Sequence, residues 1–443
     1  MLRADPHICE VARGTLLAFA LKIGGSGLSF AFNVAVTRLL GAEGAGLFFL
    51  ALAVTTIGSV IGRVGLDNAL LRFVATRATQ KDWSGVKGVY ALSMRMAVVA
   101  SGVIMFVAFL VAPWMATVLF KKPELAEMLR WTSLSILPFA LLNLQAESLK
   151  GLKRIGDAMT VQGIGVPFVS LLLIYPLTQA AGVTGVAWSY AVATIMMALL
   201  GGWAWHRTMA VYEVEQVPFP LQELWASCRP LFVVSIMNNA VRTWGPLLIL
   251  GIWAPSEEVG IFGASLRVVA LTTMMLFTLN NVLAPKFAEL YEKKEMTILA
   301  STARRSAMFL IVLSSPLFFI LIFFPNWVMS MFGKGFREGG LILAILAMGQ
   351  VVNVYAGTLG SILIVSGNEH YTQNMTLIFS GVLVTMLFSL VPAFGALGAA
   401  ISIAVSGIGL SLVTAWQAEK IIGLRVIPDF RFAISRIFKK WKK

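Results

Sequence analysis

Acidic residues are scarce in this chain, and cysteine and histidine are scarcer still. Asp and Glu number 21 against 35 Lys and Arg, with 2 Cys and 3 His in 443 residues. Cys9 and Cys228 stand far apart and in no C-x-x-C spacing, so neither a disulfide framework nor a zinc ribbon is readable. His7, His206 and His370 are scattered as well, and no H-E-x-x-H, Walker P-loop or serine nucleophile elbow occurs. ATP hydrolysis, zinc chemistry and acyl transfer lack their usual residues. The chain is therefore read as a non-enzyme, with no catalytic residue, no metal site and no cofactor.

What fills the space is apolar: 58% of residues are hydrophobic, only 13% are charged, and the mean hydropathy is +0.83. A soluble domain is about a quarter charged. Bilayer hydrocarbon takes roughly 20 apolar residues per helical pass. Interruptions by charge and turn residues predict helices at approximately 14–39, 44–70, 88–118, 129–150, 157–179, 184–206, 229–253, 258–285, 302–332, 339–366, 371–392 and 395–418. No run alternates with period two, which argues against a barrel. The expected fold class is an all-α membrane protein of about twelve transmembrane helices.

Loop charge sets the orientation. Taken alternately, the loops on the side of the termini carry Arg72, Arg77, Lys81, Lys87, Lys150, Lys153, Arg154, Arg207, Arg304, Arg305 and a tail ending Lys439, Lys440, Lys442 and Lys443. The opposite loops hold only Arg38, Lys121, Lys122, Arg130, Lys334 and Arg337. The excess of cations predicts that both termini are cytoplasmic. The net charge of +14 is then topological, and no nucleic-acid partner is expected.

The sequence also repeats itself. Gly182, Gly185, Ala187, Ser189 and Ala191 recur as Gly395, Gly398, Ala400, Ser402 and Ala404; Gly46-Leu47-Phe48 is echoed by Gly260-Ile261-Phe262, and Gly151 with Met159-Thr160 by Gly367 with Met375-Thr376. All three echoes share one offset, about 213 to 216 residues. The expected organisation is an N-terminal six-helix lobe (1–206), a cytoplasmic linker (207–228), a C-terminal six-helix lobe (229–418) and a basic cytoplasmic tail (419–443). Like-oriented halves of this kind close around a central cavity in many transporters.

Cations fall inside the predicted spans. Lys22, Ser26, Ser29 and Asn33 follow the i, i+4, i+7, i+11 spacing of one helical face, and Ser235, Asn239 and Arg242 repeat it in the seventh helix. Arg63 shares a face with Thr56, Ser59 and Asp67, with which it could simply pair, and Arg267 lies in the eighth helix. Arg95, near its helix start, is better read as snorkelling. A cation at a lipid-facing centre costs about 2.5 to 3.5 kcal/mol, so Lys22, Arg63, Arg242 and Arg267 are expected to line a cavity, supported by Ser26, Ser29, Asn33, Ser235 and Asn239. No acid is expected at mid-membrane, so the cavity suits an anion, and arginine's planar fork suits phosphate.

Arg38-Leu39-Leu40-Gly41, Gly46-Leu47-Phe48, the segment from Val64 to Phe73 and the Gly-rich starts at Gly182 and Gly395 together resemble the polysaccharide transporters, or Wzx-type O-antigen flippases. This family lies within the superfamily that also holds lipid II flippases and MATE multidrug exporters. The resemblance implies a MATE-like pair of lobes in the cell inner membrane. It also implies alternating access that moves an undecaprenyl-diphosphate-linked oligosaccharide, such as an O-antigen or capsule repeat unit, to the outer leaflet. Lys22, Arg63 and Arg267 occupy helices that supply cavity cations in the similar lipid II flippases. The implied partners are the polyprenyl-diphosphate-linked glycan, membrane lipids, and a polymerase and chain-length regulator of the same pathway. Proton, sodium or membrane potential would supply the coupling. The alternative is a MATE-like cation-coupled drug exporter, which would want a buried carboxylate.

Overall fold

A computed structural model describes the backbone of residues 6–422 and the side chains from Ala20 to Lys420, apart from several around 275–285 and 355–369. Arg3, the side chains of His7, Cys9 and Arg13, and the tail cluster Lys439, Lys440, Lys442 and Lys443 lie outside the described residues. In chain order the helices are α1 (Pro6–Gly62), α2 (Leu66–Thr79), α3 (Trp83–Trp114), α4 (Leu125–Ser133), α5 (Ile136–Gly151), α6 (Ile155–Met159), α7 (Val166–Ala181) and α8 (Gly185–Met209). After an irregular stretch follow α9 (Leu221–Ser235), α10 (Gly245–Trp253), α11 (Ser256–Glu292), α12 (Met296–Phe323), α13 (Pro325–Ser330), α14 (Gly340–Val365) and α15 (Glu369–Ile422). Wide π-turns occupy Met115–Leu119, Thr160–Gly165 and Ile236–Trp244. Among the described residues there is no strand.

Six helical segments among the described residues are long and apolar enough to cross a membrane, and the pair α4 and α5, bent by 41°, makes a seventh. Three of the six, Ala20–Gly62, Ile155–Met209 and His370–Lys420, run 43, 55 and 51 residues. At 1.5 Å per residue each would exceed twice the roughly 30 Å of hydrocarbon if straight. Each is broken instead: at Gly41 (φ 69, ψ −173), Gly182 (φ 61, ψ −140) and Gly395 (φ 53, ψ −132). Positive φ is strained for residues with a Cβ, so glycine lets a continuous apolar stretch turn back.

Left-handed positions recur along the chain. Lys81 (φ 59) and Lys294 (φ 57), Lys121 and Gly333, Lys153 and Gly367, and Gly182 and Gly395 are all positive-φ pairs about 213 residues apart. Packing recurs too. A Cβ on Gly185 would strike the carbonyl of Leu177, and one on Gly398 would strike that of Leu390. Gly46 and Gly260, the first residues of another echoed motif, lie against each other: a Cβ on Gly46 would strike Ser256 O, and one on Gly260 would strike Ala42 O. Such small-residue crossings let helix backbones approach closely where lipid supplies no hydrophobic drive.

Two compact units are resolved by packing. One comprises Met1–Arg267, Asn326–Ile342 and Val384–Ala399; the other comprises Val268–Pro325, Leu343–Leu383 and Ala400–Lys443. In the first, Leu66, Leu70 and Val74 of α2 bury against Val86 and Val89 of α3, Leu144 of α5, Trp205 of α8 and Cys228 of α9. In the second, Phe287, Leu290, Leu299, Ala303, Ile362, Leu363 and Ala418 form a core. The outward face of α3 exposes Val99, Val103, Phe106 and Leu110, a stripe at helical spacing suited to contact with lipid.

Several boundaries differ from the sequence reading. The helix expected over 44–70 ends at Gly62, and Val64 (φ 50) and Gly65 (φ 77) turn the chain before α2. The helix expected over 129–150 is bent between α4 and α5, and that expected over 302–332 breaks at Phe324, before Pro325. Residues 210–220, the irregular part of the expected linker, are fastened down. Tyr212 stacks on Trp83 at 3.8 Å, Lys87 Nζ donates to Tyr212 O (2.9 Å) and Val214 O (3.0 Å), and Phe219 packs on Phe73.

Candidate functional site

Arg267, on α11, is held from three directions. Its Nε donates to Asn33 Oδ1 at 2.5 Å, its Nη1 donates to Gly263 O at 2.8 Å, and its guanidinium lies 3.6 Å from the ring centroid of Phe49, with Trp244 farther off at 5.7 Å. Asn33 is in turn fixed by donating to Ser29 O at 2.6 Å. One residue of the first expected stripe, Asn33, thus meets the cation from the eighth expected span, and the main-chain carbonyl of Ser29 holds Asn33 in place. Among the described residues no carboxylate bonds Arg267, and a cation held by an amide, a carbonyl and π-faces keeps its charge uncompensated.

The second stripe behaves differently. Asn239 Nδ2 donates to Ser235 O at 3.0 Å, so these two residues remain neighbours. Arg242, however, follows on the π-turns of Ile236–Trp244, where Thr243 Oγ1 reaches back five residues to Asn238 O. Wider turns carry Arg242 off the line that 3.6 residues per turn would draw through Ser235 and Asn239. Its Nη1 is buried with no hydrogen-bond partner among the described residues. A buried guanidinium donor without an acceptor is costly by itself and is the kind of group that an anion satisfies.

Arg63 belongs to another cluster. Its Nη1 lies 2.6 Å from Asp67 Oδ1, and its Nε reaches Ser59 O at 3.3 Å, so the residue spans the turn between α1 and α2. Lys22 and Ser26 lie farther back on α1; Lys22 is exposed and Ser26 half-buried. Between them in sequence, Gly25 packs so closely that a Cβ would meet the carbonyl of Gly163 in the π-turns of Thr160–Gly165.

A fourth cluster was not read from the sequence. Lys150 Nζ donates to Glu147 Oε1 at 2.7 Å and to Gln162 Oε1 at 2.8 Å, while Gln162 Nε2 donates to Asn143 Oδ1 at 2.9 Å. The signal was present: Asn143, Glu147 and Lys150 have the same i, i+4, i+7 spacing as the stripes on the first and seventh helices. It is hard to read because Lys150 also counts among the loop cations that follow this helix. Among the described residues, no group of three or more His, Cys, Asp or Glu is placed to hold a metal ion.

Comparison with known proteins places this geometry in context. A family profile described as "Polysaccharide biosynthesis protein" matches residues 11–291, well over half of the chain, and one described as "MatE" matches residues 230–391. A Haloferax volcanii protein named as a probable low-salt glycan biosynthesis flippase, Agl15, is 23% identical over 403 residues, covering 90% of this chain and 81% of that protein. Among solved structures, an inward-facing MATE-family multidrug transporter superposes with a TM-score of 0.75 at 15% identity, covering 92% of this chain and 98% of its own. The lipid II flippase MurJ in an inward closed conformation superposes with a TM-score of 0.70 at 14% identity, covering 91% and 87%. The fold is MATE-like and all-helical.

Proposed function

Because the chain belongs to the polysaccharide biosynthesis protein family of multi-pass membrane transport proteins, we propose that it flips an undecaprenyl-diphosphate-linked oligosaccharide from the cytoplasmic to the outer leaflet. The observation that carries this reading is the state of its intramembrane arginines. Arg267 is held by Asn33, Gly263 and Phe49, and Arg242 keeps a buried donor open. A guanidinium held in place at Arg267 and an open donor on Arg242 suit a diphosphate, and the polyprenyl tail can stay in lipid throughout.

The rest of the mechanism follows from the same reading. Two six-helix lobes, 1–206 and 229–418, alternate access to the two leaflets, with both termini cytoplasmic; the recurrence of left-handed turns about 213 residues apart supports the duplication. Lys22 and Arg63 join Arg242 and Arg267 along the path, and Ser26, Ser29, Asn33, Ser235 and Asn239 shape it. A proton or sodium gradient, or the membrane potential, drives the cycle. The flipped glycan passes to a polymerase and chain-length regulator.

The test is transport by the purified chain in proteoliposomes carrying a fluorescent undecaprenyl-diphosphate oligosaccharide. Access of the labelled sugar to an external quencher or hydrolase should rise with the wild type and fall with Arg242→Ala and Arg267→Ala. Efflux of organic cations that depends on Asp67, with no movement of the lipid-linked sugar, would support the drug exporter instead.

A further inference from the structure

Lys150 sits at an unusual junction. It is on the last turn of α5, tied to Glu147 on its own helix and to Gln162 in the π-turns of Thr160–Gly165, with Asn143 closing the chain of side-chain bonds. π-Turns are rare and frequent at functional sites. These turns meet α1 at Gly25, where a Cβ would collide with the Gly163 carbonyl, and Lys22 stands one helical turn before that contact. The segment Gln162–Gly163 thus touches α5 through the bond to Lys150 and α1 through the close approach at Gly25, one turn from Lys22.

Two lysines carried on the helices that this one segment joins, Lys150 on α5 and Lys22 on α1, favour an anion carrying more than a single charge. An ammonium has three donors, and the bonds to Glu147 and Gln162 occupy two of those on Lys150. Gln162 and Asn143 hold the side chain in place independently of Glu147.

We propose that Lys150 and Lys22 form a two-lysine seat for a lipid diphosphate, with Gln162 and Asn143 positioning Lys150 and Glu147 as the counter-ion that phosphate displaces. This rests on the flippase reading and deepens it, because it adds a docking point on α5 to the cations named above. The seat lies at the end of α5 that leads into Lys153 and Arg154, where the headgroup of a lipid-linked diphosphate in the adjacent leaflet would arrive first.

The test uses the full chain in nanodiscs and measures binding of undecaprenyl diphosphate, undecaprenyl monophosphate, undecaprenol and inorganic pyrophosphate. Wild type should prefer the lipid diphosphate. Lys150→Gln should weaken that binding by about tenfold, the scale of one lost charge-assisted hydrogen bond, while Lys150→Arg keeps most of it. Glu147→Gln should tighten binding several-fold, because it removes the competing carboxylate; a merely structural ion pair predicts no gain. Unchanged binding in Lys150→Gln, or weaker binding in Glu147→Gln, would overturn the seat while leaving the flippase reading intact. Wild type with no affinity for any of the diphosphates would overturn both. Binding of pyrophosphate without the lipid would keep the seat and assign it to a free diphosphate.

Discussion

Arg267 Nε meets Asn33 Oδ1 at 2.5 Å, joining α11 to α1 across 234 positions of sequence. The contact fixes the plane of the guanidinium, because Nη1 is also held by Gly263 O and Phe49 covers one face. Lysine can keep the charge but not the fork or the stacking. Arg267→Lys is therefore expected to lose most flipping activity in proteoliposomes while remaining folded. Hydrogen bonds to charged groups contribute about 1.5 to 3 kcal/mol, so Asn33→Ala should lower thermal stability measurably. The double variant should be less destabilised than the sum of the two single changes, with a coupling of about 0.5 to 3 kcal/mol.

Sequence periodicity and turn chemistry made most of the helical layout legible, and the misses have physical causes. Hydropathy places α8 and α14 within a few residues because their ends coincide with glycine or charge. It misses the turn at Val64 and Gly65, since a single Arg63 does not end the apolar pattern, which resumes at Val64 and Leu66, and hydropathy does not report φ. For the site, helical spacing sets Ser29 with Asn33 and Ser235 with Asn239 one turn apart, and each asparagine donates to the main-chain carbonyl four residues back, a bond that any helix offers. It could not foresee the π-turns under Arg242, because an i→i+5 bond leaves no mark on the apolar pattern. Nor could it show that Asn33 would bond Arg267, a contact made by tertiary packing alone.

Gly182 and Gly395 provide a matched pair for mutation. Both adopt positive φ with strongly negative ψ, a region that glycine alone enters easily, so alanine at either should cost about 1 to 3 kcal/mol in backbone strain. Their surroundings differ. A Cβ on Gly182 meets nothing within 4 Å, whereas one on Gly395 strikes the carboxylate of Glu258, which accepts from Ala396 N at 2.6 Å. Gly395→Ala should therefore lower the detergent melting temperature more than Gly182→Ala. Equal losses would show that the Glu258 contact contributes little.

The Arg63–Asp67 pair sits across a helix break with side-chain exposures of only 11% and 18%. Removing one partner of such a pair leaves the other charge poorly solvated, and for fully buried pairs the cost reaches about 3 to 5 kcal/mol. Asp67→Asn and Arg63→Met are each expected to destabilise by somewhat less than that. Arg63→Met/Asp67→Asn should recover part of the loss, because neither charge is then stranded. Melting curves of the four proteins decide this, and a double variant worse than both singles would refute the pairing account.

Lys122 lies between the α3 and α4 spans, buried, with Nζ donating to Gly251 O at 2.5 Å and Phe120 O at 3.3 Å. The carbonyl of Gly251 belongs to the last turn of α10, where the helix dipole favours a cation. Burial nevertheless pushes the ammonium's pKa below the ordinary lysine value of about 10.4. The unfolded chain then binds the extra proton in the window between the depressed folded value and the ordinary one, so stability rises as pH climbs through it. Below the folded value the penalty is present in full. Lys122→Met removes the titrating group, so wild type should gain more melting temperature than Lys122→Met between neutral pH and about 10, the upper end set by the ordinary value. Parallel pH profiles in the two proteins would show that the ammonium remains well hydrated at this edge of the helix.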